Sequence, residues 1–325
     1  MAMLIKSKHC SRIVLDPDNL FWAVLPKSKK AHPPVPPGVS SLYKKIKKGL
    51  DKEMADFRFS SQLTAVYIDP TDRCNANCPY CYVPQGIRRN GRSMTGDELT
   101  SILRKIAGYF GGRERKNCVI VLHASEPLLV KDVVFKAIER FGAQFKFGLQ
   151  TNAILLKKDD VEFLKRHRVG VGISLDSFTP AVNNLSRRSW GSGGNFDAAL
   201  KGIELFNGYE GLNVITTITK INVAGLPGMV RFLHSKKVPC VLLNPVRLTR
   251  KSSYAVKPDE TLMAKYFIEA VDEAIDLSRR GGRRIIIGNF ANIILGIVAP
   301  TARRLMCDIS PCGGGRCFFT VTASG

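Results

Sequence analysis

Three cysteines, Cys74, Cys78 and Cys81, lie within the stretch CNANCPYCY. Clustered thiols in a chain without a secretion signal are more often metal ligands than disulfide partners. The next cysteine, Cys118, lies far downstream, so this segment offers three thiolates and no fourth. Structural zinc is held by four ligands, and a zinc site here would need a distant residue to complete it. The spacing predicts a metal site, and leaves open whether the metal is zinc or a group that keeps one position free.

A second group of cysteines, Cys307, Cys312 and Cys317, lies in the segment CDISPCGGGRCFF near the end of the sequence. Its spacing predicts a second metal-binding segment. A zinc knuckle is the simpler interpretation of such a group.

The net charge of +22, from 49 Lys and Arg residues against 27 Asp and Glu residues, predicts a basic surface. Basic residues are concentrated at 43–52 and at 279–284. Such a surface attracts nucleic acid or an acidic polypeptide, and it is equally compatible with a solvated face. Composition alone does not choose among these.

The sequence contains no signal for export or membrane insertion. The N-terminal residues lack the apolar core of a signal peptide. No apolar run approaches the ~20 residues that a membrane-spanning helix needs. A cytoplasmic location without membrane association is therefore predicted.

Residues 1–60 differ in pattern from the rest of the chain. An apolar, strand-like stretch at 13–25 precedes a Pro-rich connector at 32–38 and a Lys-rich helical segment. Pro-rich segments act as extended spacers. This predicts an N-terminal extension, and we interpret it as a candidate peptide-recognition segment.

From residue 63 onward, β-type apolar runs alternate with helical patterns. The six runs lie at 63–69, 118–124, 145–151, 169–176, 212–219 and 238–244. Six successive βα units predict a parallel sheet that is covered by helices and curled by right-handed crossovers. Because a complete barrel has eight strands, the predicted fold class is α/β, with a partial (βα)6 TIM-like barrel at residues 61–290.

Polar residues follow each of the six predicted strands. The first cysteine group follows the first strand, HASEP (123–127) the second, and QTN (150–152) the third. The remaining three strands end in SLDS (174–177), TTITKIN (216–222) and NPVR (244–247). Active sites of such barrels lie at the carboxyl ends of the strands, so we expect these residues to converge there.

The sequence resembles the radical S-adenosylmethionine (SAM) enzymes. The resemblance covers roughly residues 63–325 and begins with CxxxCxxC after the first strand, with the aromatic Tyr80 before the third cysteine. It implies that the three thiolates hold a [4Fe–4S] cluster whose fourth iron is chelated by SAM. Reductive cleavage of SAM would then give a 5′-deoxyadenosyl radical. A low-potential electron donor such as flavodoxin or ferredoxin is implied as a partner.

The later motifs of that family occur in the expected order. HASEP resembles the GGEP motif, with Ala124 and Ser125 in place of its two glycines and with Glu126 retained. The resemblance implies that the backbone of Ala124 and Ser125 and the side chain of Glu126 contact the methionyl amino group of SAM. SLDS resembles the element that lies near the cofactor ribose, which makes Ser174 a candidate contact and Asp176 a candidate contact and catalytic residue. The resemblance implies further cofactor contacts, and these are Tyr80, Asn152 and Arg187. Arg188 is adjacent to Arg187, and the sequence does not separate the two.

The second cysteine group resembles the start of a SPASM domain, which carries auxiliary clusters in peptide- and protein-modifying members of the family. Cys312 and Gly325 fit its early Cys and Gly positions, whereas Cys307 and Cys317 do not match obligatory positions. The expectation is a SPASM-like domain that begins at 291 and is truncated at 325. Cys307, Cys312 and Cys317 are its candidate ligands for an auxiliary [4Fe–4S] cluster.

The sequence therefore predicts a radical SAM maturase that modifies a side chain of a ribosomal precursor peptide or a protein, by cross-linking or a related oxidation. One alternative is a radical SAM enzyme that acts on RNA, supported by the charge but opposed by the lack of a recognisable RNA-binding module. The other is a zinc-binding module without catalysis. The substrate, the bond formed and the oligomeric state are not specified by the sequence.

Overall fold

The computed structural model describes residues 3–6, 12–26, 34–59, 61, 63–110, 118–191, 193–299 and 313–325. Contacts divide the chain into two compact units. One comprises Met1–Gln62 and Phe290–Cys317, and the other comprises Leu63–Asn289 and Phe318–Gly325. No helix among these described residues combines the length and the apolarity that crossing a bilayer requires.

The first unit begins with a small antiparallel sheet. Its strands β1 (Met3–Lys6), β2 (Arg12–Leu15) and β3 (Trp22–Leu25) are in the order β1-β2-β3. The helix α1 (Pro37–Phe59) follows. The strand-like stretch and the Lys-rich helix predicted for residues 1–60 are both present.

Apolar packing joins the small sheet to α1. Val14, Phe21 and Leu25 are buried, and apolar residues at the start of α1 pack against them. The ring of Tyr43 on α1 lies 4.7 Å from that of Phe21. The tyrosine hydroxyl also donates a hydrogen bond to the buried carboxylate of Asp16. The extension therefore has a core of its own.

The second unit is built on an eight-stranded parallel sheet in the order β10-β9-β8-β7-β6-β5-β4-β11. The strands are β4 (Ala65–Ile68), β5 (Val119–Leu122), β6 (Lys146–Thr151), β7 (Gly170–Ser174), β8 (Leu212–Ile218), β9 (Cys240–Pro245), β10 (Ile286–Ile287) and β11 (Phe318–Val321). The partial barrel and all six predicted strands are confirmed.

Helices follow most strands, as right-handed crossovers require. They are α2 (Gln85–Asn90), α3 (Gly96–Phe110), α4 (Lys131–Phe141), α5 (Lys158–Arg166), α6 (Pro180–Ser186), α7 (Phe196–Phe206), α8 (Leu226–Ser235), α9 (Lys251–Tyr254), α10 (Glu260–Arg280) and α11 (Gly288–Val298). Alternate strand residues are fully buried against them, for example Val66 and Ile68 on β4. This apolar core fixes the strands and aligns their carboxyl ends.

Two edge strands, β10 and β11, were not predicted. β10 has only two residues, too few to show a periodic pattern. β11 lies within the segment that the sequence assigns to the SPASM-like domain, yet it pairs with β4 in the barrel sheet, with Phe318 opposite Ala65 and Val321 opposite Ile68. The assignment of 291–325 to a separate domain stays a prediction.

Candidate active site

A cavity of about 240 Å³ opens at the carboxyl ends of the parallel strands. Residues at the carboxyl ends of six strands and in the loops after them line it, as the convergence of polar strand ends predicts. The lining comprises Cys74, Ala76, Cys78, Tyr80, Cys81, Tyr82, Val83, Arg88, His123, Ala124, Ser125, Gln150, Thr151, Asn152, Ser174, Arg187, Ile215, Thr217, Asn244, Pro245 and Arg247. All three cysteines of the first group therefore face one cavity.

Backbone hydrogen bonds fix the loop that carries these cysteines. The N–H of Cys74 donates to the carbonyl of Arg88 at 2.9 Å, and the N–H of Asn77 donates to that of Arg188 at 2.6 Å. The indole of Trp190 donates to the carbonyl of Cys74 at 2.7 Å. Gly91 ends α2 where a Cβ atom would lie 2.5 Å from the Cβ of Asp72, so this turn has no room for a side chain. The loop is held from two sides.

The thiols of this loop fit a cluster better than a single metal ion. Within the described ranges, no three His, Cys, Asp or Glu side chains are placed to hold one ion together. A [4Fe–4S] cluster spreads its thiolates over different irons, so its ligands need not converge on one point. Burial raises the pKa of Cys74 to about 12 and that of Cys78 to about 11, so metal binding must displace their protons. Cys74, Cys78 and Cys81 are therefore the residues that could hold the cluster.

The two adjacent arginines, Arg187 and Arg188, have different environments in the structure. Arg187 is buried, lines the cavity and lies 3.0 Å from Asp176 in an ion pair. Arg188 is exposed, and its Nε donates to the carbonyl of Leu185 at 3.2 Å. Arg187 is thus the arginine that can contact a ligand in the cavity.

Asp176 lies behind the cavity wall. Its Oδ1 accepts a hydrogen bond from the N–H of Thr217 at 2.9 Å, and its Oδ2 accepts one from the hydroxyl of Tyr80 at 2.5 Å. Together with the Arg187 ion pair, these contacts occupy both carboxylate oxygens. A catalytic or cofactor-binding role for Asp176 stays a prediction, and the geometry favours a role in positioning Tyr80 and Arg187.

Glu126 is also buried behind the wall rather than exposed in it. Its carboxylate accepts hydrogen bonds from the hydroxyl of Thr151 and from the N–H groups of Leu128 and Asn152, at 2.8, 3.1 and 2.8 Å. Burial raises the pKa of Glu126 to about 7, although these hydrogen bonds oppose the shift. The carboxylate thereby ties the ends of β5 and β6 together. A direct contact with the cofactor stays a prediction.

Ala124 and Ser125 adopt the left-handed backbone conformation, with φ of 56° and 47°. This conformation explains why glycines stand at these positions in the resembling motif, since residues with a Cβ atom are strained there. The hydroxyl of Ser125 donates to the carbonyl of Asp72 at 2.7 Å. That bond joins the motif to the cysteine loop and offsets part of the strain.

The other predicted contacts, Asn152 and Ser174, line the cavity. The amide nitrogen of Asn152 lies 3.8 Å from the sulfur of Cys74 and donates to the side chain of Asn75 at 2.7 Å. Such a donor near a thiolate is positioned to tune the electronics of a bound cluster. The roles of these residues as cofactor contacts remain proposals.

Sequence reasoning missed several residues that line the cavity. They include Arg88, His123, Gln150, Thr217, Asn244 and Arg247. All of these except Arg88 lie in the polar stretches at the carboxyl ends of the strands, so their position at a strand end was the available signal. Arg88 lies on α2, and nothing in the local sequence marks it.

Of the second cysteine group, Cys307 and Cys312 lie outside the described residues. Cys317 is buried in the first unit, and its backbone N–H donates to the carbonyl of Gly313 at 2.7 Å. The auxiliary-cluster ligands therefore stay a prediction.

The family model of the radical SAM superfamily matches residues 68–233, which include the cysteine loop and the strands β5 to β8. The chain belongs to the radical SAM superfamily. Members use a [4Fe–4S] cluster together with SAM, which decides between cluster and zinc at the first cysteine group in favour of the cluster. The interpretation as a non-catalytic zinc module is excluded with it.

Three relatives show how far sequence similarity reaches. An uncharacterised protein of Archaeoglobus fulgidus is 44% identical over 97% of this chain and 70% of its own length. A probable GTP 3′,8-cyclase of Methanococcus maripaludis is 29% identical over 57% of this chain and 59% of its own. The cysteine-type anaerobic sulfatase-maturating enzyme of Clostridium perfringens is 24% identical over 69% and 64%. The chain thus spans less than two thirds of both relatives with a named activity.

Two solved structures share the fold. The structure of anSMEcpe with bound AdoMet and Cp18Cys peptide has a TM-score of 0.64 at 18% identity and covers 75% of this chain and 68% of its own. Streptococcus suis SuiB bound to the precursor peptide SuiA has a TM-score of 0.59 at 15% identity and covers 92% and 66%. At such identities the likeness shows the architecture alone.

Proposed function

We propose that this radical SAM enzyme modifies a side chain of a ribosomally made peptide or of a protein. When bound, the cluster and SAM supply the 5′-deoxyadenosyl radical that begins the chemistry of this family. The chain's own part is to hold the cluster by Cys74, Cys78 and Cys81 and to orient SAM within the cavity. A low-potential donor such as flavodoxin or ferredoxin would provide the electron.

Within the cavity we assign SAM contacts to Ala124, Ser125, Asn152 and Ser174, and to Arg187 as the group that pairs with a carboxylate. Arg187 suits this task because its guanidinium is buried and fixed by Asp176, so little side-chain entropy is lost on binding. If an auxiliary cluster is present, we assign its ligands to Cys307, Cys312 and Cys317.

The small sheet of the N-terminal unit is the feature that most supports a peptide substrate. Among the described residues, β3 pairs only with β2, so one edge of the small sheet is open. On this strand Trp22 is 40% and Val24 57% exposed, which leaves an apolar face beside the open edge. An extended peptide can add to such an edge as a further strand, with its side chains on the apolar face. The helix that follows carries many lysines and suits an acidic peptide.

The comparisons support a peptide without deciding for it. The anSMEcpe and SuiB structures contain peptides, and the related enzyme of Clostridium perfringens matures a sulfatase. The relative from Methanococcus maripaludis is instead a probable GTP cyclase, so a nucleotide substrate is the second candidate. The net charge of +22 makes RNA a third candidate substrate.

The test compares these substrates directly. Anaerobically reconstituted enzyme is incubated with SAM, a reductant and either the peptide encoded beside its gene, tRNA or GTP. We expect a SAM-dependent mass change in the peptide alone, and none with the variant in which Cys74, Cys78 and Cys81 are all Ala. A modified GTP or RNA product with an unchanged peptide would overturn the proposal. RNA binding that weakens steeply with salt would point to phosphate contacts.

A further inference from the structure

A histidine and an aspartate stand side by side at the mouth of the cavity. Ile68 pairs with Leu122 at the ends of the parallel strands β4 and β5, so the next residues, Asp69 and His123, are neighbours. The N–H of His123 donates to the carbonyl of Ile68 at 2.9 Å, which fixes the backbone there. The Nδ1 atom of His123 lies 3.5 Å from Oδ1 of Asp69.

Neither of these two atoms has a hydrogen bond to another group among the described residues. Both atoms are buried, and a buried polar atom that stays unpaired destabilises the folded protein. A separation of 3.5 Å is long for a hydrogen bond, but such bonds are commonly long before a substrate binds and shorten afterwards. A proton on Nδ1 satisfies both atoms at once.

The second ring nitrogen of His123, Nε2, is the one that can contact a ligand in the cavity. His123 lines the cavity, and none of the hydrogen bonds between described residues involves its Nε2. The ring of Tyr67 contacts the imidazole edge-on, with centroids 5.5 Å apart, and limits its rotation. The imidazole is therefore oriented with one nitrogen towards Asp69 and with an unpaired nitrogen available to a ligand.

The ion pairs and ring contacts around the pair show which charged groups lie near Asp69. The ion pairs between described residues give Asp69 no Lys or Arg partner, so its negative charge is available to balance an imidazolium. The phenol of Tyr82 also interacts electrostatically with Asp69, and the guanidinium of Arg247 lies 5.6 Å from the centre of the Tyr82 ring. An aspartate that orients a histidine and stabilises its protonated form is the arrangement that general-base catalysis uses.

We propose that His123 is a catalytic proton acceptor for the substrate and that Asp69 is its positioning residue. This rests on the proposed function, because it requires a side chain of the substrate to enter the cavity. The substrate group is one with an ionisable hydrogen, namely a thiol, a hydroxyl or an ammonium. Its proton moves to Nε2 and its bonding pair stays on the substrate heteroatom, while Asp69 balances the imidazolium. No electron is exchanged in this step.

The first arm of the test needs no substrate. Reconstituted enzyme with ¹⁵N-labelled histidine is examined by NMR, and His123 is assigned as the signal lost in His123→Gln. We expect the neutral ring to carry its proton on Nδ1 and Asp69→Asn to reverse this preference, since the amide of Asn can donate to Nδ1. A proton on Nε2 in the parent protein, or no change in Asp69→Asn, would overturn the proposal.

The second arm uses the modified peptide. His123→Gln should lower kcat for peptide modification by about 100-fold or more, with a much smaller change in the KM for the peptide. His123→Ala should regain activity when imidazole is added, which loss of packing alone would not allow. His167→Gln is the control, because the His167 ring packs against that of Phe163 at the end of α5 and does not line the cavity.

Failure of the proposal and failure of the proposed function give different results. Full modification activity in His123→Gln would overturn the role of the histidine and leave the peptide assignment intact. If no peptide is modified by the parent enzyme, the peptide assignment fails, and the NMR arm still decides how the ring is oriented.

Discussion

At the residue scale, two adjacent arginines differ completely in environment. Arg187 follows the end of α6 with its guanidinium buried between Asp176 and the ring of Tyr80, whose centre is 5.9 Å away. Arg188 points outward. The direction of each side chain depends on where α6 ends and on the bridge between Arg188 and Gly194, so it is a property of the folded loop.

Replacement of the two arginines should therefore have unequal effects. Arg187→Met leaves the buried carboxylate of Asp176 without its charged partner, which costs about 3–5 kcal/mol of unfolding free energy. It should also abolish measurable SAM binding. Arg188→Met should change stability by less than about 0.5 kcal/mol. Urea unfolding and calorimetric titration with SAM measure both quantities, and equal effects in the two variants would contradict this assignment.

The left-handed conformation at Ser125 makes a second residue-scale prediction. Ser125→Ala loses the hydrogen bond to Asp72 and keeps the strain, whereas Ser125→Gly loses the bond and relieves it. The strain is worth about 1–2 kcal/mol, part of which the flexibility of glycine in the unfolded chain offsets. Ser125→Gly should be the more stable of the two by up to about 1 kcal/mol in urea unfolding. A more stable Ala variant would show that this backbone is unstrained.

The sequence predicted some of these residues and not others, for a physical reason. Cys74, Cys78 and Cys81 were recognisable because their spacing alone carries the chemistry. His123 follows β5 and Asn244 lies near the end of β9, and the sequence marked both only as polar strand ends. Whether a given side chain faces the cavity depends on strand register and packing, so the sequence did not show that Glu126 is buried, and its contact with the cofactor stays a prediction.

At the scale of elements, the short helix α2 supports the cysteine loop through one side chain. The guanidinium of Arg88 is buried and donates to the carbonyls of Val83 and Ala76, both at 3.1 Å. It also lies 5.4 Å from the centre of the Trp190 ring. Arg89, the next residue, is exposed and stacks on the same ring at 4.6 Å. The two positions thus share a neighbour and differ in their hydrogen bonds to the loop.

Arg88→Met should consequently loosen the loop, and Arg89→Met should not. Each hydrogen bond from a charged group contributes about 1.5–3 kcal/mol, so the first variant should lose several kcal/mol of unfolding free energy. We expect less iron per chain after reconstitution in Arg88→Met and a normal content in Arg89→Met. Iron and sulfide analysis, with the visible absorbance of the cluster, measures this. Normal iron in both variants would mean that backbone contacts alone hold the loop.

The six central strands of the sheet were predictable because each is an apolar run bounded by polar turns. The edge strands were not, since β10 is too short and β11 follows a cysteine-rich segment whose spacing suggested a different role. Residues 318–321 form a strand because they pair with β4, and β4 lies more than 250 residues earlier in the sequence. Long-range pairing of this kind leaves no local pattern.

At the scale of the whole molecule, the sheet is completed by the last described residues. β11 adds to the edge of β4, the strand that leads directly into the cysteine loop. The carbonyl of Val321 accepts a hydrogen bond from the N–H of Asp69 at 2.9 Å. The carbonyl of Ala323, a fully buried residue, accepts one from Arg92 at 2.6 Å. Residues 318–323 therefore support β4 and the start of the cysteine loop, where the site opens.

Removal of residues 318–325 should for this reason weaken the site as well as the sheet. The backbone groups of β4 would lose their partners, at about 1 kcal/mol for each hydrogen bond, and an unprotected edge would favour association between chains. The shortened chain should unfold at lower urea concentration, elute partly as aggregate and retain less iron. A chain that ends at Ala323 is the matched control, because it lacks only the exposed Ser324 and Gly325. If both chains bound iron equally and unfolded at the same urea concentration, β4 and the cysteine loop would be stable without their last neighbour, and the entrance to the site would depend on β5 alone.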